Sequence, residues 1–148
     1  MENNKTYSTE LNTLLASYQL HYQNLRSLHW NIKGQAFFEL HVKYEELYNR
    51  AQEIIDELAE RILSIGSSPL SRFSDYLASA KIEELEITHD GEKGVNYTLD
   101  AQQVLLKIER NLLAMSDELD DEGTNALMSD LIREKEKTNW MFKAWLNK

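Results

Sequence analysis

Two histidines and three carboxylates, His29, His41, Glu45, Asp56 and Glu60, are the residues of this chain best suited to chemistry. Imidazole and carboxylate together are the usual ligands of iron, zinc or manganese where thiolates are lacking. The chain has no cysteine, which excludes thiolate metal sites and disulfides alike. On a helix, His41 and Glu45 stand one turn apart on one face, and so do Asp56 and Glu60. At about 100° per residue, position 56 lies only about 60° round the helix from position 41, and position 60 about 100°. The four share one flank. Taken singly they have plainer readings: His29 as a core histidine, Asp56 and Glu60 as a solvated helix face.

The elements that carry them are long helices. Leu11, Leu15, Tyr18, Tyr22, Leu25, His29 and Ile32 recur at spacings of four and three, predicting an amphipathic helix from about Thr9 to Lys33. Ser8 or Thr9 would cap it and Gly34 would stop it. Leu40, Tyr44, Leu47, Ala51, Ile54, Leu58 and Ile62 predict a second helix from Phe37 to about Ile65, closed by Gly66-Ser67-Ser68-Pro69. Nearly thirty irregular residues follow, with room for a short helix within Ser71 to Ala80. A third long helix is expected from Thr98 or Leu99 to Asp121, with Leu105, Ile108, Leu112, Met115 and Leu119 inward. Gly123 interrupts, and a fourth runs from about Thr124 with Leu127, Leu131, Thr138, Met141, Phe142 and Trp145 as its stripe. Four helices with one long crossover make an all-α four-helix bundle, a single domain over residues 1–148 with a short tail of about residues 1–8.

In such bundles a di-iron site uses two Glu-x-x-His motifs, one on each of two helices, and a Glu from each of the others. Here Glu86-Ile87-Thr88-His89 is the lone match, in a stretch where Asp90, Gly91 and Gly94 argue against a helix. A metal site in the bundle core is therefore not expected; His89 reads as a solvated loop residue, and His21 has no evident carboxylate partner. The remaining five ligands cannot close a site within one chain, since fifteen residues of helix hold His41 and Asp56 about 22 Å apart. A two-fold axis near residues 49–50 resolves this. It runs two copies of the second helix antiparallel, so the histidines of one meet Asp56 and Glu60 of the other, twice over.

Composition agrees with a globular helical protein: 42% hydrophobic, 28% charged, one proline and five glycines in 148 residues. The opening residues hold no apolar signal core and no run is long enough for a membrane span, so the expected location is cytoplasmic. A net charge of −9 favours cations and opposes nucleic acid and anionic lipid.

Leu28-His29-Trp30-Asn31-Ile32-Lys33-Gly34, Phe38 through His41, and Asp56-x-x-x-Glu60-Arg61 resemble the signature of the Dps family, the mini-ferritins. The resemblance covers essentially the whole chain, including the long middle connection. It implies a ferritin-like fold and a hollow dodecamer that stores ferric mineral, with ferroxidase sites at two-fold interfaces and a role against oxidative stress. His29, His41, Asp56 and Glu60 match the family's iron ligands. Glu45 departs from it, standing where an Asp is common, so its longer reach leaves direct or water-mediated binding open. Trp30 matches the aromatic neighbour that can hold a transient radical, though a core aromatic is the plainer reading. Asp121 and Asp130 match acidic residues lining an iron-entry pore; helix chemistry alone would also favour acids there.

The resemblance implies Fe(II) as substrate and hydrogen peroxide as preferred oxidant. Because histidine must be unprotonated to ligate, metal binding should weaken in acid. Some members bind DNA through lysine-rich tails, but here Lys5 is opposed by Glu2, and twelve copies would carry roughly −108. Direct DNA binding is not expected. Two other readings use the same residues: a non-catalytic helical oligomer, and a bundle binding zinc or manganese.

Overall fold

The computed structural model describes residues 2–148, and Met1 lies outside them. Five helices follow in order: α1 (Glu2–Asn31), α2 (Phe37–Ser64), α3 (Phe73–Ser79), α4 (Gly91–Glu118) and α5 (Glu122–Trp145). The four long ones form a four-helix bundle, and short α3 lies in the connection between α2 and α4. Leu11, Leu15, Tyr18, Leu58, Ile62, Leu105, Leu112 and Leu131 are buried at its centre. Fully burying such side chains stabilises by roughly 1.5–3 kcal/mol each, which fixes the register of the stripes.

The reversal between α1 and α2 positions the candidate site. Gly34 takes φ +102°, the left-handed region that side chains avoid, and turns the chain within five residues. His29, in the last turn of α1, is thereby folded beside His41, in the second turn of α2.

The crossover from α2 to α4 lies along α1 and is fastened by it. Asn12 donates to the Ser68 carbonyl and accepts from the Leu70 N–H, the Ser17 hydroxyl accepts from the Lys81 N–H, and Asn24 donates to the Glu83 carbonyl and accepts from the Leu85 N–H. At its end, the Lys33 N–H donates to the His89 carbonyl at 3.1 Å, and the His89 ring meets the Asn31 carbonyl at 2.6 Å. The crossover therefore returns to the start of α2, so α4 runs parallel to α2. His89, although exposed, is tied to the end of α1 rather than simply solvated.

Three boundaries differ from the sequence expectation. Helix α1 begins at Glu2, not Thr9, because Tyr7 is buried and its hydroxyl donates to Asp121 at 2.7 Å, docking about two extra turns beside the start of α5. Helix α4 begins at Gly91, not Thr98: the Asp90 carboxylate accepts the Glu92 and Lys93 N–H groups as a cap. Gly94 sits inside that helix because a Cβ there would lie 2.6 Å from the Tyr44 hydroxyl. The break before α5 is made by Asp120 at φ 56°, while Gly123 belongs to the first turn of α5. On α5 the core takes Met128 rather than Leu127, and Lys135 and Asn139 join it.

Candidate metal centre

The His29 and His41 rings stack face to face, centroids 3.7 Å apart and planes 12° from parallel. Each is pinned by the other's backbone. His29 Nδ1 lies 2.6 Å from the His41 carbonyl oxygen, and His41 Nδ1 lies 2.8 Å from the His29 carbonyl oxygen. A carbonyl only accepts, so each Nδ1 carries the proton and each Nε2 presents a lone pair. Such a backbone partner is the usual way to orient a metal-binding imidazole. Phe37 stacks on the outer face of His41 at 4.8 Å, and Tyr48 meets His29 edge-on at 5.3 Å. The pair is held between aromatic rings on both sides.

Asp56 and Glu60 lie on the same unbroken helix α2, exposed, and among the described residues neither carboxylate has an ion pair or side-chain hydrogen bond. Glu45 is also exposed and likewise has no such partner among the described residues. Among the described residues no three His, Asp or Glu side chains gather closely enough to hold a metal. The structure thus brings His29 and His41 together, keeps Glu45 one turn from His41, and leaves Asp56 and Glu60 towards the far end of the helix. Trp30 is 57% exposed, which removes the core-aromatic reading, and the Arg26 guanidinium lies over its ring at 4.9 Å.

The two pore candidates differ. Asp130 is exposed and pairs with Arg133 at 2.9 Å. Asp121 caps α5 and is heavily engaged: Arg61 Nη2 donates to Oδ1 at 2.6 Å, while Tyr7 and the Thr124 hydroxyl donate to Oδ2 at 2.7 and 2.6 Å. Burial pushes its pKa up, but these donors, Thr124 foremost, hold it down to about 2.

A second polar cluster occupies the bundle core. Glu109 is wholly buried; its Oε2 accepts from the Tyr18 hydroxyl at 2.8 Å and pairs with Lys135 Nζ at 2.9 Å. Burial pushes Glu109 up and Lys135 down, and their mutual attraction opposes both shifts. His21 lies beside a cavity of about 30 Å³ that Lys135 also lines, its pKa lowered to about 3 by burial and then by the Lys135 charge. Sequence reasoning missed this cluster, having expected an apolar stripe on α5. It also missed Tyr48, although two turns of helix from His41 is a same-face spacing.

Residues 8–148 match the family model described as Ferritin-like domain. The chain is 42% identical over 139 residues to the DNA protection during starvation protein of Porphyromonas gingivalis, covering 93% of this chain and 87% of that protein. It is 44% identical over 135 residues to an uncharacterised protein of Haemophilus influenzae, covering 91% of this chain and 84% of that one. The crystal structure of a Dps protein from Vibrio cholerae O1, described as a member of a broad superfamily of ferritin-like diiron-carboxylate proteins, superimposes with TM-score 0.95 at 48% identity, covering 98% of this chain and 91% of that one. A Dps protein from Bacillus brevis gives TM-score 0.95 at 34% identity, covering 99% and 98%. With the fold and these relatives in agreement, the chain belongs to the ferritin-like family and, within it, to the Dps proteins.

Proposed function

We propose that the protein is a ferroxidase that oxidises Fe(II), preferably with hydrogen peroxide, and stores the ferric product inside a cytoplasmic dodecameric shell, limiting oxidative damage. Each site takes His29 and His41 from one subunit and Asp56 and Glu60 from its two-fold mate, with Glu45 as a further ligand. The observation that carries this reading is the stacked pair: two imidazoles with both Nδ1 atoms fixed on backbone carbonyls and both Nε2 atoms available. The unpaired acids on the same helix supply the matching half.

The chemistry follows from the donors. Imidazole and carboxylate accept Fe(II), and anionic oxygen favours the higher charge of Fe(III), which promotes oxidation. Two Fe(II) reduce one peroxide to water, so hydroxyl radical need not escape. Asp130, from its exposed position, would draw cations towards the interior, and Asp121, whose charge Arg61 offsets, would stand beside that path. Trp30, which follows His29 in the chain, would hold a transient radical. Direct DNA binding forms no part of the proposal, given the net charge of −9.

Titrating the apoprotein anaerobically with Fe(II) and limiting peroxide, while following ferric absorbance, tests the reading. Consumption of about one peroxide per two irons is expected. Oxidation no faster than in buffer would overturn it, as would a particle far from the mass of about 208 kDa that twelve 17.3 kDa chains give.

A further inference from the structure

We propose that His89 is a positioning residue for the iron site, holding open the end of α1 so that the backbone of His29 can orient His41. The inference rests on the ferroxidase reading of the histidine pair and adds a residue from outside it. His89 belongs to the lone Glu-x-x-His match, at 86–89, and is no ligand of the proposed site.

In a regular helix the N–H of residue 33 donates to the carbonyl of residue 29. Helix α1 stops one step short of that bond: the Ile32 N–H donates to the Leu28 carbonyl at 3.1 Å. The Lys33 N–H, next in line, turns away and donates to the His89 carbonyl, also at 3.1 Å. The His29 carbonyl is thereby left for His41 Nδ1, which donates to it at 2.8 Å. The His89 ring completes the diversion. Its Nδ1–H donates at 2.6 Å to the Asn31 carbonyl, one of the last-turn carbonyls that a helix cannot satisfy by itself. His89 thus grips the end of α1 twice, with an accepting carbonyl and a donating ring, on either side of Ile32.

Packing backs the grip. A Cβ on Gly91 would lie 3.1 Å from Leu40 and 3.7 Å from Ile32, so the chain just past His89 passes close against both arms of the turn at Gly34. Without the ring bond, the Lys33 N–H and His41 Nδ1 compete for one carbonyl. His41 then loses hold of the partner that aims its Nε2, and a metal-binding imidazole without its backbone partner binds more weakly.

Anaerobic titration of assembled shells with Co(II), followed by its visible absorbance, tests this without iron oxidation. His89→Ala should bind Co(II) about three- to fivefold more weakly, the size expected for one solvent-exposed hydrogen bond. Its KM for Fe(II) should rise by a similar factor with kcat unchanged. His89→Asn, whose amide nitrogen falls where Nδ1 stood, should recover wild-type affinity. His89→Gln, whose amide nitrogen falls nearer to Nε2, should follow the alanine variant. Asn12→Ala is the control: it unfastens the crossover about 25 Å along α1 from His29, and should lower the melting temperature without weakening Co(II) binding. Wild-type affinity in His89→Ala and His89→Gln would overturn the proposal. So would equal weakening in Asn12→Ala, or no recovery in His89→Asn. Wild-type shells that neither bind Co(II) nor oxidise Fe(II) would instead overturn the ferroxidase reading itself, which separates that result from the others.

Discussion

The histidine pair near the α1–α2 turn and the Glu109–Lys135 pair in the bundle core are both polar clusters, but one is open and the other closed. In the core, Lys135 already neutralises Glu109, and Tyr18 takes a further lone pair of the same oxygen. A cation entering there would meet a resident ammonium and the buried, neutral His21. At the turn, the imidazoles are satisfied only on their Nδ1 side, and the acids that would complete them point to solvent. Four-helix bundles can place two metals at their centre. This one fills that centre with its own salt bridge, and the donors left for metal chemistry lie at the surface.

The sharpest way to break the comparison is to open the closed cluster. Glu109→Ala leaves a buried ammonium without its partner and should cost about 3–5 kcal/mol in denaturant unfolding. Adding Lys135→Met should recover most of that loss; if the double variant is as unstable as the single, the pair is not a closed unit. Next is Gly94→Ala, whose methyl meets the Tyr44 hydroxyl at 2.6 Å and should cost about 1–3 kcal/mol by overpacking. If it is neutral, α4 is not held in close approach to Tyr44.

Asp121→Asn should cost about 2 kcal/mol, from a carboxylate held near 2 against an ordinary 3.8. Its folded pKa is depressed, so the stabilisation is present above about pH 4 and is lost as pH falls towards 2. Acid titrations of the two proteins should therefore diverge above that window and converge below it. His21 acts at higher pH. It stays neutral in the fold down to about pH 3, whereas the unfolded chain takes up its proton near 6.5. Stability should fall by up to about 1.4 kcal/mol per pH unit below 6.5, and His21→Leu should flatten that slope. The smallest effect concerns entry: Asp130→Asn should slow iron uptake at low salt while leaving the melting temperature unchanged within error.

Much of this was legible in the sequence because helical periodicity is a local signal. The α2 stripe placed Phe37–Ser64 to within a residue, and the helical rise alone separated His41 from Asp56. What stayed hidden depends on long-range contacts. Seven residues of α1 are helical because Tyr7 finds Asp121, 114 positions later. Helix α4 starts early because Asp90 caps it and Gly94 admits Tyr44, whereas the two glycines read as helix breakers in isolation. Asn12, Ser17 and Asn24 each hold a backbone group of the crossover, a role that helical periodicity does not signal. Lys135 broke an otherwise apolar stripe, and only the fold supplied Glu109 as the reason.

The central claim is that the histidine half and the acid half of each site come from different subunits, and complementation between two disabled chains tests it most directly. His41→Ala and Asp56→Ala should each lose rapid Fe(II) oxidation while still assembling. Dissociated, mixed in equal amounts and reassembled, they form hybrid dimers in which one of the two sites keeps both halves. Random pairing then restores about a quarter of the wild-type sites, and peroxide-dependent iron oxidation should return to that level. Reassembled mixtures that stay as inactive as either parent would contradict the shared site, as would full activity in either single variant.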